Sequence, residues 1–242
     1  MKAMILAAGF GTRLGELTQS KPKILMDING KTVLELILIK LKYYGFNDIV
    51  INVHVLADMI EEEALRLSEI LGMNIFFSDE RAALLDTGGG VYKAREFFDQ
   101  DHFLLYNGDI LSDINLKALY DYHARKDAIA TVATRNRPGN RFFLVDSRGR
   151  VRGWTNRKTG VDIVTIEEPM ELQEIASTAI SVLSPRIFEY MNEGIYSMTS
   201  ILLEVAGKEL VTSFRYDAGY WIDVGSPEML EEARALSFDP GL

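Results

Sequence analysis

The chemistry-bearing residues of this chain gather at two junctions. Leu6-Ala7-Ala8-Gly9-Phe10-Gly11-Thr12-Arg13-Leu14, closed by Lys21-Pro22-Lys23, reads as a buried strand breaking into a glycine loop flanked by guanidinium and ammonium groups. Residues without a Cβ let the backbone turn sharply and lay its N–H groups against phosphate oxygens, whose charge fixed cations neutralise. Tyr106-Asn107-Gly108-Asp109 reads as a second buried strand, ending in a carboxylate. A hard ion such as Mg²⁺ prefers that oxygen and bridges one or two protein carboxylates to substrate phosphates. Together the junctions predict a triphosphate and a metal ion in one site.

Two better-known phosphate binders fit less well. A dinucleotide fingerprint needs a small residue where Gly9-Phe10-Gly11-Thr12-Arg13-Leu14 has leucine, and the second strand carries Asn52 near its end instead of an acid. Gly30-Lys31-Thr32 resembles the end of a P-loop, but the glycine required five positions earlier is Leu25. Asp99-Gln100-Asp101 imitates a metal motif, yet it precedes its strand and reads as a turn. His54, His102 and His123 lack the spacing of zinc ligands, so ordinary structural roles are expected for them.

The elements that must position these groups follow from periodicity. The first half alternates strand and helix: Lys2–Ala7, helix Thr32–Tyr44, Asp48–Val53, helix Leu56–Leu71, Asn74–Phe77, a helix opening near Thr87, and Phe103–Tyr106. Such alternation predicts an α/β fold with a mostly parallel sheet covered on both faces and ligands at the carboxyl ends of its strands. After a helix at Asn115–Lys126 come strands with short turns: Ala128–Thr134, Phe142–Asp146, Val151–Trp154, Val161–Ile166 and Ser177–Leu183. Helices return at Pro185–Asn192, Ser197–Val205 and Pro227–Leu236. No repeat or Pro/Ser-rich linker interrupts them, so the second half is expected to extend the same sheet.

Composition narrows the class. The 242 residues, 48% of them hydrophobic, suffice for one large domain with a packed core. The absence of cysteine excludes disulfides and thiolate chemistry and fits a reducing compartment, so the cytoplasm is the expected location. Ala3 to Ala8 is too short an apolar run for a signal peptide, and no stretch approaches the roughly 20 apolar residues of a membrane-spanning helix. A net charge of −9 argues against a sequence-independent grip on nucleic acid. Between Phe10 and Leu25, however, Arg13, Lys21 and Lys23 outnumber Glu16, giving a locally positive loop.

The extended segment from Leu6 through Leu17-Thr18 and Ser20-Lys21-Pro22-Lys23 to Leu25 resembles the signature of the sugar-phosphate nucleotidylyltransferases. The resemblance continues at Leu85-Asp86-Thr87-Gly88-Gly89-Gly90, Asn107-Gly108-Asp109 and Trp221-Ile222-Asp223-Val224-Gly225-Ser226-Pro227-Glu228, and covers essentially the whole chain. It is strongest to short bacterial members such as the N-acetylmuramate 1-phosphate uridylyltransferases and mannose-1-phosphate guanylyltransferases. It implies a Rossmann-like three-layer sandwich with a mixed, mostly parallel central sheet. A single domain over 1–242 would comprise a nucleotide-binding half, 1–110, and a sugar-phosphate-binding half with the C-terminal helix, 111–242.

By this resemblance Arg13 and Lys23 bind the triphosphate and stabilise charge during transfer; otherwise they are two solvated loop cations. Leu6, Ala7, Ala8, Gly9, Gly11 and Thr12 would cradle the nucleotide, Gly88 and Gly89 would leave room for the flat base, and Glu80 would contact its edge. Asp109 and Asp223 would hold Mg²⁺, both projecting from one sheet edge. Asp223 has an alternative as a helix-capping neighbour, because Gly225-Ser226-Pro227 reads as loop, N-cap and first turn.

Asn107, Arg141 and Asn156 are the expected sugar-phosphate contacts. There the chain departs from its relatives: Glu167-Glu168-Pro169 stands where many carry Glu-Lys-Pro, leaving Arg141, Arg157 and Lys158 as substitute cations. Thr178-Ala179-Ile180 replaces Thr-Gly-Ile, Glu16 stands where a proline is common, and Ile24 interrupts the usual Pro-Lys-Pro-Leu.

The expected reaction joins a nucleoside triphosphate to a sugar 1-phosphate. A phosphate nucleophile is already ionised, which matches the absence of a Ser–His–Asp or Cys–His arrangement. A glycosyltransferase using a nucleotide sugar, a cytidylyltransferase acting on a phosphorylated alcohol such as phosphocholine, and a nucleotide-sugar sensor without turnover remain alternatives. Base, sugar and oligomeric state are left open.

Overall fold

The computed structural model describes residues 1–11, 15, 17–98, 100–166 and 171–236. In chain order its elements are Lys2–Leu6 (β1), Leu17–Ser20 (α1), Asp27–Ile28 (β2), Lys31–Thr32 (β3), Val33–Tyr43 (α2), Asp48–Val53 (β4), Ala57–Leu71 (α3) and Asn74–Asp79 (β5). Asp86–Lys93 (α4), Phe103–Asn107 (β6), Ile110–Ser112 (β7), Leu116–Lys126 (α5), Ala130–Arg135 (β8), Arg141–Val145 (β9) and Val151–Asn156 (β10) follow. Val161–Val164 (β11), Gln173–Leu183 (β12), Met198–Ala206 (α6), Val211–Arg215 (β13), Trp221–Asp223 (β14) and Pro227–Arg234 (α7) complete the chain order.

β1 lies between β4 and β6, parallel to both, and β5 extends this block beyond β4. Side chains alternate across β1, so the sheet is buried on both faces. Ala3 and Ile5 join a core built with α2, α3, α5 and α7, whereas Met4 joins a second core under α4 and α6. This is the three-layer sandwich with a mixed, largely parallel sheet that the sequence predicts. The chain builds β1, β4 and β5 to one side, then places β6 on the other side of β1. That reversal opens a crevice at the carboxyl ends of β1 and β6.

Strands from the second half continue the sheet. β12 runs antiparallel to β6 over Ile180–Leu183, borders β8 on its other edge, and pairs with β9 through Gln173–Ile175. β9, β10 and β11 form an antiparallel meander, and β13 lies parallel to β8. The β12–β8 register shifts between Ser177 and Ser181. Ala179, inside that irregularity, sits at φ +60°, a left-handed conformation that glycine adopts without its Cβ penalty.

Outside this sheet β7 and β14 form a two-stranded antiparallel ribbon. Among the expected helices, Pro185–Asn192 is instead a 3₁₀ stretch at Pro185–Tyr190, opened by Ser184 accepting from the Arg186 N–H. Strands β7 and β13 go beyond the sequence expectation; each is short and has little alternation to reveal it. No helix of the described residues is long and apolar enough to cross a membrane.

Candidate active site

The ends of β1 and β6 lie side by side, with Leu6 opposite Asn107. Beyond them the Gly108 N–H donates to the Leu6 carbonyl at 2.9 Å. A Cβ at Gly108 would meet that oxygen at 2.8 Å and the Ile24 side chain at 2.7 Å, so only glycine lets the two chains close here. Asp109 follows at once, and the backbone then enters β7.

Asp223 reaches the same place by another route. In the ribbon it stands opposite Ile110, and the Val224 N–H donates to the Asp109 carbonyl at 2.9 Å. The Lys23 ammonium lies between the two carboxylates, 2.6 Å from Asp109 Oδ2 and 3.3 Å from Asp223 Oδ1. The expectation that both acids project from one sheet edge is therefore corrected: Asp109 follows the main sheet, and Asp223 arrives on the ribbon. Nothing in Trp221-Ile222-Asp223 tells a sheet strand from a ribbon strand. The helix-capping duty belongs to Ser226, which accepts from the Met229 N–H.

A pocket of about 170 Å³ adjoins this cluster, lined by Gly9, Gly11, Lys23, Gly108, Asp109 and Gly225 among others. Gly9 faces open space, with nothing within 4 Å of a Cβ built there. Gly11 makes the turn at φ +64°, and a Cβ would press on Thr18 Cγ2 at 2.9 Å. Phe10 is exposed and meets His54 edge-on at 5.4 Å. Thr12, Arg13 and Glu16 lie outside the described residues, as do Asp99 and the Glu167-Glu168-Pro169 segment. Two carboxylates turned toward one cationic centre are a donor set suited to a hard divalent ion whose shell phosphate oxygens complete. Among the described residues no three or more His, Cys, Asp or Glu side chains are grouped so as to hold a metal ion by themselves, so substrate oxygens would complete the shell.

The base-binding expectations are rearranged. Glu80 is fully buried; Oε1 accepts from Asn52 Nδ2 at 2.8 Å and Oε2 from the Leu85 N–H at 3.0 Å. Asn52 Oδ1 in turn accepts from the Ala7 N–H at 2.7 Å. Glu80 is thus a brace behind the glycine loop, and Asn52 is a site-shaping residue that the sequence did not mark as one. Gly88 and Gly89 are also buried, both N–H groups pointing at the Tyr196 carbonyl at 2.8 and 3.3 Å. A Cβ on Gly88 would meet the Tyr196 ring at 2.5 Å, and one on Gly89 would overlap the Gly194 carbonyl. The room their missing side chains leave is filled by the 194–196 segment instead of a base.

A second cavity, about 520 Å³, adjoins the first at Leu6. Asn107 and Arg141 line it with Phe143, Trp154 and Ala179. Asn156 is the cross-strand neighbour of Arg141, but its side chain accepts from the Lys158 N–H at 3.1 Å and holds a turn. Arg157 pairs with Glu174 at 2.7 Å and lines a different surface cavity, with Asp146 and Arg148. Arg137 does line the 520 Å³ cavity, although no motif marked it; its signal is tertiary, a stack on Trp221 with 4.4 Å to the ring centroid.

A switch-point crevice carrying a glycine turn, a lysine and two convergent aspartates defines an α/β protein built to handle phosphate esters. Residues 2–238 match the family model described as Nucleotidyl transferase, and the chain belongs to that family. It is 32% identical over 244 residues to the N-acetylmuramate alpha-1-phosphate uridylyltransferase of Neisseria meningitidis serogroup B, covering 98% of each chain. It is 36% identical over 208 residues to the UTP–glucose-1-phosphate uridylyltransferase of a Synechocystis species, covering 80% of this chain and 52% of that longer one. The fold matches UDP-glucose pyrophosphorylase from Acinetobacter baumanii with a TM-score of 0.79 at 16% identity, covering 96% of this chain and 91% of that one.

Proposed function

We propose that the protein transfers a nucleotidyl group from a nucleoside triphosphate to a sugar 1-phosphate. The observation that carries this reading is the convergence of Lys23, Asp109 and Asp223 beside the glycine turn, at the border of a cavity lined by Asn107 and Arg141. Both curated relatives named above are uridylyltransferases whose names specify a 1-phosphate acceptor. A non-bridging oxygen of the acceptor phosphate attacks the α-phosphorus; that P–O bond forms as the bond to the β-phosphate bridge breaks, and pyrophosphate leaves with the electron pair.

No general base is required, because the attacking oxygen is already anionic. The protein's task is to align two anions and offset their repulsion. Lys23 supplies a compact charge at the α-phosphate, and Arg13 is assigned to the departing pyrophosphate, where a guanidinium fork is suited. Backbone N–H groups of the Gly9–Gly11 turn hold the phosphates. Asp109 and Asp223 would hold Mg²⁺, which supplies further positive charge to the phosphate oxygens. Residues 1–110 serve the nucleotide and 111–242 the acceptor, with Asp223 returning to the nucleotide side. A cytoplasmic setting suits the triphosphate and the cysteine-free sequence.

A pyrophosphate-release screen with magnesium, four triphosphates and glucose, mannose and N-acetylmuramate 1-phosphates tests the assignment, with CTP plus phosphocholine as a contrasting arm. Release with a sugar 1-phosphate is expected, and release only with phosphocholine would overturn the reading. Lys23→Ala and Asp109→Ala should each lower turnover by at least about a hundredfold, the usual cost of losing one electrostatic stabiliser.

A further inference from the structure

We propose that Arg137 receives the phosphate of the acceptor sugar. The inference rests on the nucleotidyl-transfer reading. The 520 Å³ cavity has two ionisable groups among its described lining residues, Arg137 and Arg141, both cationic. A largely apolar chamber with that lining is a receptor for an anion.

The two arginines differ in how firmly they are held. Arg141 is exposed at the start of β9. Arg137 sits over the Trp221 ring, its Cζ 4.4 Å from the centroid, and donates from Nε and Nη2 to the Ser177 carbonyl, at 3.3 and 3.0 Å, and from Nη1 to the Pro138 carbonyl at 3.2 Å. Trp221 is itself fixed, its Nε1–H donating to the Thr178 carbonyl at 2.9 Å. Of five guanidinium N–H donors, these bonds leave one on each Nη with which an anion can be met. A planar group already immobilised by stacking loses little freedom on binding.

Its position also suits the chemistry. Trp221 stands in β14, in the same short strand as Asp223, so Arg137 is anchored to the strand that carries one of the two carboxylates. Burial lowers the Arg137 pKa, and the Asp223 charge opposes that shift. A phosphate held there would lie in the cavity that borders the Lys23 pocket at Leu6.

The test is a comparison of Arg137→Gln, Arg137→Lys and the parent, using the most active sugar 1-phosphate among glucose, mannose and N-acetylmuramate 1-phosphates. Arg137→Gln should raise the acceptor's half-saturation by at least about tenfold, as expected for losing charge-assisted bonds to phosphate, and leave that of the triphosphate within about twofold. Arg137→Lys, which keeps the charge, should recover part of the loss; it also serves if the glutamine variant fails to fold. Arg157→Gln, altered at an arginine outside the cavity, should match the parent. An unchanged acceptor half-saturation, or an equal rise for both substrates, overturns the inference. If the parent releases no pyrophosphate with any pair, the transfer reading fails, and calorimetry of glucose 1-phosphate against glucose still judges Arg137. Phosphate-dependent binding that disappears in Arg137→Gln supports the assignment, and binding that is absent in the parent or equal in the variant removes it.

Discussion

Asp109 was marked as a candidate by the glycine directly before it, and Lys23 by the Lys21-Pro22-Lys23 segment that closes the glycine loop, patterns confined to short stretches of sequence. Asn52 was not legible, since a buried amide in an apolar strand looks the same whether it braces a site or fills a core. It joins the Ala7 N–H to Glu80 and so fixes the glycine loop relative to β4. Asn52→Ala should cost about 1–3 kcal/mol by stripping partners from a part-buried N–H and a buried carboxylate. It should also weaken triphosphate binding, with the acceptor's half-saturation unchanged. Urea denaturation and a triphosphate titration check the two halves, and a variant as stable as the parent would show that Glu80 is satisfied without it. Glu80 itself defeats sequence reading for a similar reason: an acid after a strand is ordinarily solvated, and only the packed structure shows it with no exposure.

Helices and strands with a clear period were read nearly to the residue, as Asp48–Val53 and the helix ending at Leu71 show. Short elements whose partners lie far along the chain were not. The Gly88-Gly89-Gly90 run makes the same point, because Gly88 and Gly89 meet residues 194–196 and Gly90 meets the Glu80 and Asn52 side chains, approaches that local sequence cannot disclose. Gly89→Ala removes helix-disfavouring freedom yet drives a methyl into the Gly194 carbonyl, and overpacking against backbone outweighs the propensity gain of about 1 kcal/mol. The variant should lose about 1–3 kcal/mol, read from its denaturation midpoint. A more stable Gly89→Ala would mean that the 194–196 segment gives way easily. Ala179 shows the converse: a β-bulge shaped for glycine accepts alanine at φ +60° beside the acceptor cavity.

At the scale of the molecule, α2 is tied to the ribbon by a buried charge. Lys40 donates to the Ser112 carbonyl, and burial lowers its pKa to about 7, with Asp113 opposing the shift. An unfolded lysine keeps its proton to its ordinary pKa of 10.5, so between about pH 7 and 10.5 the unfolded chain binds more protons than the folded one. Stability from this group therefore rises with pH across that window, by at most about 1.4 kcal/mol per unit. Urea unfolding of the parent and of Lys40→Met at pH 7.5 and 9 isolates the effect: the parent should gain relative to the variant, and equal slopes would remove Lys40 as its source. The same long-range architecture governs when the chain becomes competent. Lys23 and Asp223 are 200 positions apart, and the first meets its second carboxylate only when the ribbon's late strand has closed on the early one. A nascent polypeptide still emerging from the ribosome therefore carries a glycine turn and one acid without the other. Until residue 223 has been made and the ribbon has closed, Lys23 has only one of these two carboxylates beside it.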